Sequence, residues 1–154
     1  MTQPITIRRA RPEEAPDLSD LALRAKAHWG YDDAFLAACR EDLAVQREDI
    51  VAGCVWVGER AGAPVGFIAV RIEGGVAELG SCFVDPAVIG SGVGRVLWET
   101  VEGVARAAGV DAIGLDADPY AEGFYLAMGA ERVGAAPSGS IPGRMLPRMV
   151  KRLV

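Results

Sequence analysis

The stretch Phe83-Val84-Asp85-Pro86-Ala87-Val88-Ile89-Gly90-Ser91-Gly92-Val93-Gly94-Arg95 constrains this chain more than any other. An apolar run ends in Asp-Pro, three glycines follow at alternate positions, and an amphipathic run starts at once. That order predicts a strand, a glycine turn and a helix. With no side chains in the way, the backbone N–H groups of such a turn converge, and the helix start adds unpaired donors and partial positive charge. Such a site binds phosphate or pyrophosphate. An ordinary strand-to-helix turn needs one glycine. A Rossmann dinucleotide loop follows the first strand of a parallel sheet, whereas this one follows a meander in mid-chain.

Ile5 to Arg8 predicts a short strand. Pro12, Glu13 and Glu14 suit the first turn of a helix, and Leu18, Leu21, Ala22 and Ala25 repeat at helical spacing to about Ala27. His28-Trp29-Gly30-Tyr31 breaks the pattern, and Asp32 or Asp33 caps a second helix through about Leu43. Val51 to Val57 and Pro64 to Ile72 read as strands joined by the turn Glu59-Arg60-Ala61-Gly62; Glu73-Gly74-Gly75 then leads into a strand from Val76 to Val84. Past the glycine loop, Val93, Val96, Leu97, Val101, Val104 and Ala108 mark one face of a long helix that Gly109 ends. A strand at Ala112 to Leu115, a short helix at Ala121 to Met128, a strand at Arg132 to Ala135, a loop at Pro137 to Gly143 and a last strand near Met145 to Lys151 complete the reading. The expected fold is α/β: a mixed, mostly antiparallel sheet of six or seven strands flanked by about four helices, in one domain over residues 1–154.

The formal net charge is −5 and no long basic run exists, which argues against a nucleic-acid or acidic-membrane partner. Cys39, Cys54 and Cys82 are scattered and His28 is the single histidine, so neither a disulfide framework nor a metal site is expected. Met1 to Arg11 is polar, and no apolar run approaches the ~20 residues of a membrane span. A soluble protein of the reducing cytoplasm fits these features.

Three segments, Cys82-Phe83-Val84-Asp85-Pro86, Gly90-Ser91-Gly92-Val93-Gly94-Arg95 and Ala121-Glu122-Gly123-Phe124-Tyr125-Leu126-Ala127-Met128-Gly129-Ala130, resemble the GNAT family of acetyl-CoA-dependent N-acetyltransferases. The order of strands and helices matches along nearly the whole chain. The resemblance implies acetyl-CoA as co-substrate, no metal, and direct attack by a primary amine of a small molecule or peptide within a ternary complex. It implies that Ile89, Gly90, Ser91, Gly92, Val93, Gly94 and Arg95 hold the pyrophosphate. The strand edge at Cys82, Phe83 and Val84 would pair with the pantetheine amides. Tyr125 would protonate the departing thiolate. The family's usual Arg or Gln falls on Ile89, a position often basic falls on Ser91, and the Asn commonly seven residues before the Tyr falls on Asp118, which would accept from a pantetheine N–H.

Several side chains carry two readings each. Tyr125 is either the general acid or a packing aromatic, a task for which adjacent Phe124 is the better placed of the two. Glu78 lies in an apolar strand, where alternation puts it on the face of Cys82 and Val84; it is either a direct or water-mediated base or a solvent-end residue. His28, Trp29 and Tyr31 fall in the region that lines the acceptor pocket in the family, and His28 equally suits a helix end packing on the core. Asp116 is either an amine-facing carboxylate or a plain exposed strand end. Cys82 reads as a small buried apolar residue, not a nucleophile. Glu78, Asp116, Asp118 and Glu122 together suggest a cationic acceptor. A non-catalytic acyl-CoA-binding regulatory or partner-binding module is the alternative, and a homodimer stays open.

Overall fold

The computed structural model describes residues 4–153; Met1–Gln3, the start of the polar segment read above, and Val154 lie outside the described residues. The strands are β1 (Ile5–Arg9), β2 (Val55–Arg60), β3 (Ala63–Glu73), β4 (Val76–Val84), β5 (Ala112–Asp116), β6 (Glu131–Pro137) and β7 (Met145–Arg152). The helices are α1 (Ala15–Ala27), α2 (Asp33–Leu43), α3 (Arg47–Val51), α4 (Val93–Ala107) and α5 (Glu122–Ala127). Asp32 caps α2 through its side chain, which accepts from the Phe35 N–H. One strand expectation is corrected. Val51 belongs to the helical turn α3, and β2 begins only at Val55, because Ile50 turns inward against the core beneath α1. An apolar run with no periodicity does not distinguish the two.

The strands form one mixed sheet in the order β1-β2-β3-β4-β5-β7-β6. Only β4 and β5 are parallel, and they pair only from Val76–Leu79 against Ala112–Leu115. Beyond Leu79 and Leu115 they part, so residues 80–84 present, in the middle of the sheet, an edge with no strand partner among the described residues. A strand edge of this kind offers N–H and C=O groups to any extended ligand. The fork exists because β4 continues along β3 while β5 ends at Asp116 and the chain turns away through Pro119–Ala121.

Each face of the sheet carries its own apolar layer. Leu97, Trp98, Val101 and Ala105 of α4 pack with Ala77, Leu79, Ile113, Leu115 and Met149 on one face. Leu18, Leu21 and Ala22 of α1 pack with Val55, Val57 and Phe67 on the other. Within β4 the alternation changes phase. Ala69 pairs Ser81 while Val70 pairs Leu79, so Gly80 is an extra residue, a β-bulge. Before it Ala77 and Leu79 face α4; after it Cys82 and Val84 do. Glu78 therefore lies on the α1 side, opposite Cys82 and Val84. The strict alternation expected for these residues is overturned by that single inserted glycine.

Candidate active site

A cleft of about 510 Å³ runs through the fork between β4 and β5. Its walls on the α4 side are the glycine loop, and on the α1 side Lys26 and Trp29; Tyr125 and Asp118 stand between. Of the residues singled out in the sequence, Cys82, Phe83, Val84, Ile89, Gly90, Gly92, Val93, Gly94, Arg95, Asp116, Asp118, Trp29 and Tyr125 line it. Ser91, Glu78, Tyr31 and His28 do not. His28 is exposed at the end of α1, its ring edge-on to Trp29 with centroids 5.4 Å apart.

The three loop glycines do different work. Gly90 and Gly92 have φ of 84° and 92°, where other residues are strained, and Gly92 is the N-cap of α4 with no side-chain cap. The first N–H groups of α4 are thus left for a ligand. Gly94 is inside the helix, where a Cβ would come within 3.0 Å of the Phe124 ring. Its role is to let α5 close over α4. Sequence reasoning missed Arg60, whose Nη1 donates to Ser91 Oγ at 3.3 Å and brings a guanidinium to a loop with no basic residue at Ser91 itself. Arg60 sits 31 positions away on another strand, so no local pattern marks it.

Tyr125 is the more buried of the two aromatic residues on α5, 6% exposed, with its ring edge-on to Trp98 at 5.9 Å. Phe124, half-buried, rests on the α4 start instead. The packing role foreseen for Phe124 is therefore shared, and Tyr125 carries the larger part of it. The Tyr125 hydroxyl meets Cys82. Burial, and then the neighbouring Cys82, hold the phenol well above its ordinary pKa, while burial pushes the Cys82 thiol up to about 12. Tyr125 keeps its proton and Cys82 is no thiolate.

On the α1 side two ion-pair clusters border the fork. Asp118 Oδ2 accepts from Lys26 Nζ at 2.8 Å, and Tyr31 donates its hydroxyl to Asp118 at 3.1 Å. Arg144 Nη2 donates to the Tyr31 oxygen at 2.6 Å and stands 3.6 Å from Asp118. Oδ1 also accepts the Tyr120 N–H at 2.9 Å, so protein donors occupy most of this carboxylate. Burial alone would raise the pKa of Asp118; the hydrogen bonds from Lys26, Tyr120 and Tyr31 outweigh it and hold the group below its usual value. In the second cluster Arg148 grips Glu78 with two bonds, at 2.5 and 2.9 Å, and reaches Asp116 at 3.2 Å. The guanidinium lies across Gly114, where a Cβ would be 2.5 Å from Nη2. Glu122, the fourth carboxylate of the expected acidic group, pairs with Arg132. The four do not form a free acidic patch, because each has a basic partner.

The pieces brought together at the fork are a glycine loop with free helix N–H groups, an unpaired strand edge, a buried protonated phenol, and two ion-paired clusters. The sequence model of the acetyltransferase (GNAT) family matches residues 18–130, which include all of them except Arg144 and Arg148. The chain belongs to the GNAT acetyltransferase family. An "IAA acetyltransferase" of Azospirillum brasilense is 36% identical over 109 residues, covering 71% of this chain and 57% of the relative. The chain thus matches little more than half the length of that curated relative. Among solved GNAT structures, the PaiA N-acetyltransferase of Thermoplasma acidophilum in complex with coenzyme A superimposes with a TM-score of 0.80 at 19% identity, over 97% of this chain and 99% of that one. A GCN5-related N-acetyltransferase of Rhodopseudomonas palustris gives 0.79 at 21% identity over 99% and 98%. The seven-stranded mixed sheet with five helices is the GNAT fold. Among the described residues no group of three or more His, Cys, Asp or Glu side chains could hold a metal ion, and no helix is long and apolar enough to cross a membrane.

Proposed function

We propose that this chain transfers an acetyl group from acetyl-CoA to a primary amine. The observation that carries the reading is the convergence, in one cleft, of the uncapped α4 start, the unpaired edge of β4 and the Tyr125 hydroxyl. The co-substrate supplies an activated thioester on a thin, amide-bearing arm ending in a pyrophosphate. The residues present fit it. N–H groups of Val93, Gly94 and Arg95 and the charges of Arg95 and Arg60 suit the pyrophosphate. The peptide groups of 80–84 suit the arm as an added strand, and a backbone N–H near Val84 polarises the thioester carbonyl.

The amine then attacks directly. Glu78 lies on the α1 side of the sheet, the side of Lys26 and Trp29, through the bulge at Gly80, and it accepts the ammonium proton through a water. Tyr125 donates to the departing sulfur. No enzyme nucleophile is involved, in keeping with the raised pKa of Cys82. Calorimetry with coenzyme A, followed by thiol release from acetyl-CoA with an amine panel, tests the reading. Binding without amine-dependent thiol release would make the chain a non-catalytic acyl-CoA binder.

Two predictions belong to this reading. Ser91 is exposed and directly precedes the N-cap, so Ser91→Asp adds negative charge where the helix dipole tolerates it. The melting temperature should hold while the coenzyme A Kd rises by about tenfold or more, because the new charge opposes the pyrophosphate. Unchanged affinity would remove the loop from the phosphate site. Glu78→Gln should lower kcat/KM about tenfold at neutral pH, less than the ~10² usual for a positioned base because bulk water also takes the proton. The deficit should vanish above the pKa of the amine. A deficit equal at all pH values would assign Glu78 to holding Arg148.

A further inference from the structure

The two clusters beside the fork are oppositely charged as units, and neither is neutral. Lys26 and Arg144 share Asp118, which among the described residues is the one carboxylate paired with either, leaving one positive charge in excess. Their side chains are only 11% and 17% exposed, and that of Asp118 14%. Both cations also stand over the stacked rings of Tyr31 and Phe35, Lys26 Nζ 5.4 Å from the Tyr31 centroid and Arg144 Cζ 4.9 Å from that of Phe35. Arg148, by contrast, is shared by Glu78 and Asp116, leaving one negative charge in excess. Lys26 from the first cluster and Asp116 from the second line the same cleft. A shielded excess charge is costly unless a counter-charge meets it. The cleft between the clusters is walled by Trp29 and Tyr120, stacked at 5.6 Å, with Leu43 and Leu146.

We propose that the acceptor is an amino acid, a primary amine carrying its own carboxylate on a compact apolar or aromatic body. This rests on the acetyl-transfer reading above. The carboxylate meets Lys26 and Arg144, the ammonium meets the Glu78–Asp116–Arg148 cluster where its proton is removed, and the apolar body lies against Trp29 and Tyr120. Lys26 and Arg144 act on substrate choice. The excess charge on the Lys26 side replaces the cationic acceptor suggested by the four acidic residues in the sequence, since all four are already ion-paired.

Phenylalanine, phenylalaninamide and phenethylamine share one body and differ in the carboxylate. In a thiol-release assay phenylalanine should exceed both others in kcat/KM by about tenfold or more. Arg144→Gln should collapse that ratio toward unity, and Arg144→Lys should keep most of it, with coenzyme A affinity measured in each variant to verify the fold. Equal rates for the three amines, or a preference for phenethylamine, would overturn the inference and leave acetyl transfer standing. Calorimetry of the coenzyme A-loaded protein with 3-phenylpropanoate and 3-phenylpropanamide reads the anion site without chemistry. Tighter binding of the carboxylate, lost in Arg144→Gln, supports the site even if no amine is acetylated, in which case acetyl transfer itself fails. Equal or absent binding of the two overturns it.

Discussion

Tyr125→Phe is expected to leave coenzyme A affinity within about twofold and to slow turnover by roughly 10²-fold or more, the usual worth of a positioned acid. The substitution removes one oxygen. The ring stays wedged against Trp98 and Phe124, so the α5–α4 contact survives. What is lost is the hydroxyl beside Cys82, on the strand edge proposed to take the co-substrate's arm. Because burial holds the phenol well above its ordinary pKa, the hydroxyl stays protonated across the working range. The wild-type kcat/KM should therefore rise with pH as the amine loses its proton, with no fall through about pH 10. A fall on the alkaline side below that point, or full turnover in the Phe variant, would return Tyr125 to packing alone.

Asp118→Asn is expected to lower stability at neutral pH by about 3 kcal/mol, near the low end for one partner removed from a buried ion pair. Lys26 would be left at 11% side-chain exposure with no carboxylate beside it. Tyr31 and Arg144 would lose the group that joins them to the β5–α5 turn. For a domain of this length the loss corresponds to about 10 °C in melting temperature. The sign with pH follows from the lowered pKa of Asp118. A carboxylate stronger as an acid when folded stabilises above its unfolded pKa, and that stabilisation disappears as pH falls through the folded value. The difference between wild type and variant should thus be full above the ordinary carboxylate range and shrink progressively as pH falls below it. A difference that does not shrink with acidification would mean that shape, not charge, holds the turn.

How much of the site could be read from the chain depends on how local each signal is. The glycine loop was legible because its chemistry is backbone geometry, and the backbone reports itself through glycine spacing at Gly90, Gly92 and Gly94. Even there the roles differ, since Gly94 serves the Phe124 contact. Tyr125 was legible through its motif, but its depth was not, since adjacent aromatic residues on a short helix divide the burial by what lies beneath them. Glu78 was placed on the wrong face. Glycine at position 80 reads as an ordinary strand residue, and only pairing with β3 reveals that it is the extra one.

Most secondary elements other than α3, the meander before the loop, the glycine turn and the family were readable from the chain alone. All rest on periodicity and short motifs, which act over a few residues. The electrostatics of the two ion-pair clusters beside the fork came from tertiary structure. Lys26 meets Asp118 across 92 positions, Arg144 meets Tyr31 across 113, and Arg148 meets Glu78 across 70. A carboxylate in a sequence counts as one negative charge, whereas in a fold its effect is set by the cations within a few ångströms, because charge interaction falls with distance and with solvent screening. Those neighbours are chosen by how β5 and β7 align and where α1 ends. The net sign of each cluster is therefore a property of the folded chain.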